Sequence, residues 1–326
     1  MTRSRPVIAV VVAPADPDPP GLERLRHMAE VGVVRSGEEL AATLDRVDVL
    51  AVYDFRTTLV ADLGERAGEL AWIHAASAGV DAVLTPAVVG GDTVVTNAQG
   101  VFDEPIAEWV LAVLLLFAKD LRRTLDLQAR RTWRHRETDR LAGRQVLVVG
   151  AGSIGGAIAR LLRAAGMGVR GVARTARPDD PDFDAVVATA DLHAELARAD
   201  DVVIAAPLTP ATHHLLDAAA FEAMKPGARL VNIGRGPVVD ESALLERLRD
   251  GRVGAAALDV FDTEPLAADH PFWTMDQVLV SPHMSGDVEG WVAALGAQFT
   301  DNVERWIAGE PLRHVVDKLA LAGGGS

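Results

Sequence analysis

Short apolar runs and amphipathic stretches alternate along most of the chain, a pattern that predicts an α/β protein built on parallel sheets. Residues 7–12 form a β-branched run that stops at Pro14 and Asp16, so they read as a strand. Residues 22–30 follow with helical spacing, and 47–52, 70–75 and 93–96 predict three more strands. The strand at 70–75 runs into Ser77-Ala78-Gly79-Val80-Asp81. The spacing then changes. Residues 104–118 are apolar on nearly every face, which demands burial inside a domain or in a dimer interface. Glu104 and Pro105 stand where a first helical turn accepts an acid and a proline.

A second series of strands starts at 145–149 and continues at 168–172, 202–206, 229–233, 255–258 and 278–281, with helices between most of them. Six strands in this arrangement suit a complete dinucleotide-binding fold. Residues 287–307 are helical again, and their expected place is back against the first domain. The first domain is therefore discontinuous, 1–98 with 287–326, and the second is 99–286 with its long helix at 104–118. The expected fold is two Rossmann-like domains with doubly wound parallel sheets, the first of the flavodoxin-like type. Ala322-Gly323-Gly324-Gly325-Ser326 reads as a flexible tail or an added scar.

Composition narrows the partners. The 326 residues are 49% apolar and 24% charged, as in a soluble globular protein. A net charge of −14 disfavours nucleic acid and anionic membrane, both of which need a basic face. The run Arg122, Arg123, Arg130, Arg131, Arg134, Arg136 and Arg140 is the local exception and reads as a solvated helix face or connector, with an anion-attracting rim near the cofactor site as the alternative. Without cysteine there is no disulfide and no thiolate chemistry. The apolar run at 7–13 is too short for a signal-peptide core, and the one at 110–118 is too short to span a bilayer. These features together predict a cytoplasmic protein.

The candidate chemistry begins at Gly150-Ala151-Gly152-Ser153-Ile154-Gly155, between the strand at 145–149 and a helix starting at Ile154. In that context Gly150 makes the tight turn, Gly152 lets a pyrophosphate approach the backbone, and Gly155 lets helix and strand pack closely. The free N–H groups of the helix start favour an anion. The next strand normally ends in an acid that holds the adenosine ribose, about 20 residues on. Here Arg174, Thr175 and Arg177 stand there instead. A guanidinium binds a 2′-phosphate that an acid repels, so NADP(H) is preferred, with NAD(H) possible. Pro207 and Ile233, at two further strand ends, complete the expected cofactor set.

Reducing a ketone by hydride also needs an acid, a cation for the carboxylate, and a partner that keeps the acid protonated. Of nine histidines, His283 follows the strand at 278–281, at the carboxyl end where ligands bind in parallel sheets. His213 and His214 are expected at a helix start after Pro210, and His74 in structural packing. Arg235 stands at another strand end in Asn232-Ile233-Gly234-Arg235-Gly236. Asp259 and Glu264 follow a third, in Leu258-Asp259-Val260-Phe261-Asp262-Thr263-Glu264-Pro265. The segments Ser77–Asp81, Glu104–Glu108, the glycine turn, Asn232–Gly236, Ala257–Phe261, Glu264-Pro265 and Ser281-Pro282-His283 fall in the order and spacing of one family. The chain resembles the D-isomer-specific 2-hydroxyacid dehydrogenases over nearly its whole length.

The resemblance implies that Arg235 binds the substrate carboxylate and carbonyl, that His283 is the general acid–base, and that Glu264 is its partner. It implies carboxylate contacts from the backbone N–H groups of Ala78 and Gly79, a nicotinamide contact from Asp259, and a homodimer through the helix at 104–118. The implied reaction is NAD(P)-dependent reduction of a small 2-keto acid to a D-2-hydroxy acid, with glyoxylate and hydroxypyruvate as first substrates and a larger 2-keto acid as the alternative. No metal is expected. Tyr53, Phe55, Arg56, Phe102 and Trp291 are candidates for the substrate wall. The alternative is a nucleotide-sensing, corepressor-like binding protein on the same fold.

Overall fold

The computed structural model describes residues 5–323. Gly324, Gly325 and Ser326 of the expected tail lie outside the described residues. The chain divides into two compact units, Met1–Phe102 with Val288–Ser326, and Asp103–Asp287.

The first unit carries five parallel strands: β1 (Val7–Val11), β2 (Glu30–Val34), β3 (Val49–Val52), β4 (Trp72–Ala75) and β5 (Val94–Asn97). Their order is β2-β1-β3-β4-β5, the doubly wound order of flavodoxin. The central strands β1, β3 and β4 are almost wholly buried, as apolar runs covered on both faces must be. The helix Trp291–Ala308 packs on this unit, with Phe299 and Val303 in the same core as Ile8, Val10 and Trp72. The last segment closes the β5 edge. Val315 bridges Thr96 in antiparallel sense, and Val316 N donates to Val95 O at 2.8 Å. Lys318 Nζ then donates to the carbonyls of Val88, Gly91 and Thr93, each at 2.8 Å.

The second unit carries seven parallel strands: β6 (Gln145–Val149), β7 (Gly168–Ala173), β8 (Ala185–Ala188), β9 (Asp201–Ile204), β10 (Ala228–Asn232), β11 (Val253–Leu258) and β12 (Val278–Val280). The order β12-β11-β10-β9-β6-β7-β8 is the dinucleotide-binding order with one further strand. It reverses beside β6, so the Gly150 turn lies at the switch point, where such sheets bind ligands.

Two strands absent from the sequence expectation are β2 and β8, and both are sheet edges. An edge strand needs no continuous apolar run, and β2 alternates exposed and half-buried positions around Gly32. The helix expected over 22–30 therefore ends at Met28, and the second sheet has seven strands where six were expected. The arginine-rich stretch contains a helix, Leu121–Ala129, followed by a connector. Its arginines pair locally, Arg130 with Asp126 at 2.7 Å and Arg136 with Asp120 at 2.8 Å. His213 and His214 lie in a turn, and the helix starts only at Ala218, where Asp217 accepts the Ala220 N–H. Among the described residues no helix is long and apolar enough to cross a membrane.

Candidate cofactor and catalytic site

The glycine turn follows β6 and opens the helix Ser153–Ala164. Gly150 has φ +109, and a Cβ there would stand 2.5 Å from the Ala205 carbonyl carbon. A Cβ on Gly155 would stand 2.0 Å from the Gly150 carbonyl oxygen, so the helix touches the turn only because Gly155 lacks one. Gly152 differs: a Cβ there would meet nothing within 4 Å. As N-cap it has no side chain to satisfy the first N–H groups of the helix. Open space before unsatisfied N–H groups fits the pyrophosphate of a dinucleotide. The Ser153 hydroxyl donates to the Asp103 carboxylate.

Arg174, Thr175 and Arg177 are exposed at the end of β7. Arg177 is tied down further than its sequence position suggests. Its Nη2 donates to Ala151 O and its Nε to Asp180, each at 2.8 Å, and its backbone pairs with Val186. Arg177 thus braces the strand end against the glycine turn.

The other strand ends form one rim. A Cβ on Gly234 would stand 2.7 Å from Ala206 O, and one on Gly236 would stand 1.9 Å from the Phe261 carbonyl carbon. Arg235 is thereby held between the β9 and β11 loops. Asn232 Nδ2 donates to its carbonyl at 3.1 Å, and Arg235 Nη1 donates to Gly234 O at 2.8 Å. Ile233, next to it, is buried, and the Pro207 carbonyl accepts the Thr212 hydroxyl at 2.7 Å.

Glu264 and His283 meet directly. His283 Nδ1 stands 2.8 Å from Glu264 Oε2. A carboxylate only accepts, so the proton of this contact sits on Nδ1. Glu264 Oε1 accepts the Phe261 N–H at 3.1 Å. His283 has φ +57, a conformation side chains rarely adopt. Asp259 holds it there. This buried carboxylate accepts the Ser281 hydroxyl at 2.6 Å and the Met284 and Ser285 N–H groups at 2.9 Å each. Three of its roughly four lone pairs are thus spent on the histidine loop. The resemblance implies only a nicotinamide contact for Asp259; the anchoring joins residues 22 apart and leaves no local signal.

The turn at 77–79 belongs to the first unit. Ser77 O accepts the Ala98 N–H at 3.0 Å, and Ala78 O accepts Asn97 Nδ2 at 2.7 Å. In a trans peptide C=O and N–H point opposite ways, so the Ala78 and Gly79 N–H groups face away from the β5 end. In the same unit the Arg56 guanidinium lies 4.8 Å over the Phe55 ring, and the Phe102 and Trp291 rings are 5.9 Å apart. Burial raises the Tyr53 phenol well above its ordinary range. Among the described residues no group of three or more acids, histidines or cysteines is arranged to hold a metal ion.

A family model described as the D-isomer specific 2-hydroxyacid dehydrogenase, NAD binding domain, matches residues 111–285. The chain belongs to this family. It is 30% identical over 307 residues to the D-3-phosphoglycerate dehydrogenase of Methanocaldococcus jannaschii. That match takes in 92% of the chain but only 58% of the longer relative. A D-isomer specific 2-hydroxyacid dehydrogenase from Xanthobacter autotrophicus Py2, solved in complex with NADPH and MES, is 30% identical with a TM-score of 0.82, covering 98% of this chain and 99% of that one. An NADPH-dependent glyoxylate/hydroxypyruvate reductase from Sinorhizobium meliloti, solved with NADP and sulfate, is 31% identical with a TM-score of 0.80, covering 97% and 99%. Within the family, the seven-stranded unit is the NAD-binding domain.

Proposed function

We propose that the chain is an NADP(H)-preferring reductase that converts a small 2-keto acid into a D-2-hydroxy acid. The observation that carries this reading is the 2.8 Å contact between His283 and Glu264 on the rim that also bears Arg235 and the glycine turn. A nicotinamide dinucleotide, when bound, supplies the hydride. Gly150, Gly152, Ile154 and Gly155, with the Ser153 N–H, cradle its pyrophosphate, and Pro207 and Ile233 line its course. Arg174 and Thr175 take the 2′-phosphate, with Arg177 bracing that strand end.

Arg235 binds the substrate carboxylate and polarises the carbonyl with the same fork. His283 delivers its proton from Nε2 to the carbonyl oxygen as negative charge develops there. Glu264 fixes the ring through Nδ1, which sets the direction in which Nε2 points. The Ala78 and Gly79 N–H groups are assigned to the carboxylate by family resemblance, as is the nicotinamide contact of Asp259. The Sinorhizobium relative supports glyoxylate and hydroxypyruvate as first substrates, and both NADP-bound relatives support the cofactor. The Arg56–Phe55 pair and the Phe102–Trp291 pair are the side chains to vary for substrate size.

The test is a panel of glyoxylate, hydroxypyruvate and larger 2-keto acids, each with NADPH and NADH. Turnover with at least one acid is expected, with kcat/KM for NADPH exceeding that for NADH by roughly tenfold or more, the effect of one forked phosphate contact. Equal or better use of NADH removes the cofactor preference. Cofactor binding without turnover of any acid removes the enzyme reading in favour of a nucleotide sensor.

A further inference from the structure

Next to the His283–Glu264 pair stands a second carboxylate that the sequence does not single out. Glu241 opens the helix Glu241–Arg249, one residue after Asp240, whose carboxylate accepts the Ala243 N–H at 3.0 Å. Glu241 is only 18% exposed, and its Oε1 accepts the Asp262 N–H at 2.8 Å. Its Oε2 stands 3.9 Å from His270 Nε2. His270 Nδ1 accepts the Phe272 N–H at 3.3 Å, so the neutral ring carries its proton on Nε2, facing Glu241.

This matters because of what Asp262 carries. Asp262 lies two residues before Glu264, in a tight turn that closes on itself when Phe261 N donates to Glu264 Oε1. That bond is internal and cannot locate the turn. The Asp262 N–H to Glu241 bond ties it to a helix whose start is capped. Gly236 bounds the turn on another side, since even a Cβ there would reach within 1.9 Å of Phe261 and 2.4 Å of Asp262 N. The turn is therefore boxed between Gly236 and the Glu241 carboxylate.

We propose that Glu241 is a positioning residue for the acid–base pair: by anchoring the Phe261–Glu264 turn it sets where Glu264 Oε2 meets His283 Nδ1. This inference rests on the function proposed above. The arrangement opposes stability, which points to use. Burial raises Glu241 above the ordinary carboxylate range, and the charges of Asp262 and Glu264 raise it further against the Asp262 N–H bond. Burial also raises Asp262, with Asp240 adding and His214 and His213 opposing. Like charges gathered in a half-buried turn carry a free-energy cost that an apolar side chain would avoid.

The test compares Glu241→Ala with Glu241→Gln. The alanine removes the acceptor for Asp262 N–H; the glutamine keeps an amide oxygen for it. Glu241→Ala is expected to lower kcat about 100-fold, the size of a displacement near 1 Å, with the Kd for NADPH unchanged within about twofold. Glu241→Gln is expected to recover most of the loss. A far-downfield proton resonance from His283 Nδ1–H, assigned by its absence in His283→Gln, is expected to weaken in the alanine variant and return in the glutamine. If Glu241→Ala does not fold, Glu241→Asp, one methylene short, is read in the same way. Wild-type kcat together with an unchanged resonance in the alanine or aspartate variant overturns the proposal. The resonance needs no substrate, so it tests Glu241 even if the keto-acid panel fails and the reductase reading falls.

Discussion

At the scale of single residues the proposed reductase reading rests on His283. Its φ of +57 is sustained by a buried aspartate that accepts from both sides of it, and its ring is fixed by Glu264. His283→Gln keeps a side chain of similar length without a transferable proton. It is expected to lower kcat by about 10²–10⁴, the usual contribution of a general acid, with NADPH affinity intact. Near-normal turnover would take His283 out of the role. His74 is a different kind of histidine. It is fully buried in β4, its ring stacked on Phe299 at 4.9 Å, its Nδ1 2.9 Å from the Thr96 hydroxyl, and its Nε2 without a partner. Burial, with the charge of His314, pushes its pKa down from 6.5 to about 3. The folded value lies below the unfolded one, so the unfolded chain binds more protons in between. The stabilisation is whole above pH 6.5 and is lost as pH falls toward 3, by about 1.4 kcal/mol per unit. Urea titrations from pH 7 to 4 should show this slope, and His74→Phe should flatten it. An unchanged slope in the variant would assign acid sensitivity to other groups.

At the scale of elements the glycine turn allows a sharp separation of folding from binding. Gly152→Ala adds a methyl group into open space, so the melting temperature should hold. The same methyl stands where the pyrophosphate approaches, so the Kd values for NADPH and NADH should both rise roughly tenfold or more. Gly155→Ala drives a methyl group to 2.0 Å from the Gly150 carbonyl and should lower stability itself. Unchanged cofactor binding in Gly152→Ala would move the dinucleotide away from this turn. The turn, most central strands and the polar residues that follow them were legible because each is a local pattern: a buried run, then polar or glycine residues at its carboxyl end. The edge strands β2 and β8 were not, because half their surface faces solvent and their pattern is diluted.

At the scale of the whole molecule, the helices Asp103–Ala118 and Leu121–Ala129 and the connector after them leave apolar side chains in solvent. Leu115, Leu121 and Leu125 are 37%, 42% and 62% exposed, and Trp133 is fully exposed. The homodimer through the first of these helices is an expectation from family resemblance alone, and a second copy would cover such side chains. Light scattering at micromolar concentration should give twice the chain mass, and Leu125→Glu combined with Trp133→Ser should give a monomer. A monomeric wild type would end the dimer reading.

What the sequence determined by itself were features written in consecutive residues: two α/β series, a dinucleotide turn, an arginine where an acid is usual, and a histidine at a strand end. Local backbone chemistry dictates these, so neighbours along the chain suffice to read them. Only the tertiary structure decided how the carboxylates divide the work. Asp259 grips the histidine loop from 22 residues away, Glu241 holds the Asp262 N–H from 21 away, and Arg177 reaches back 26 residues to Ala151. Parallel strands bring such groups to one rim by long crossovers, and a hydrogen bond formed across that rim depends on distance in space, which no spacing in the chain records.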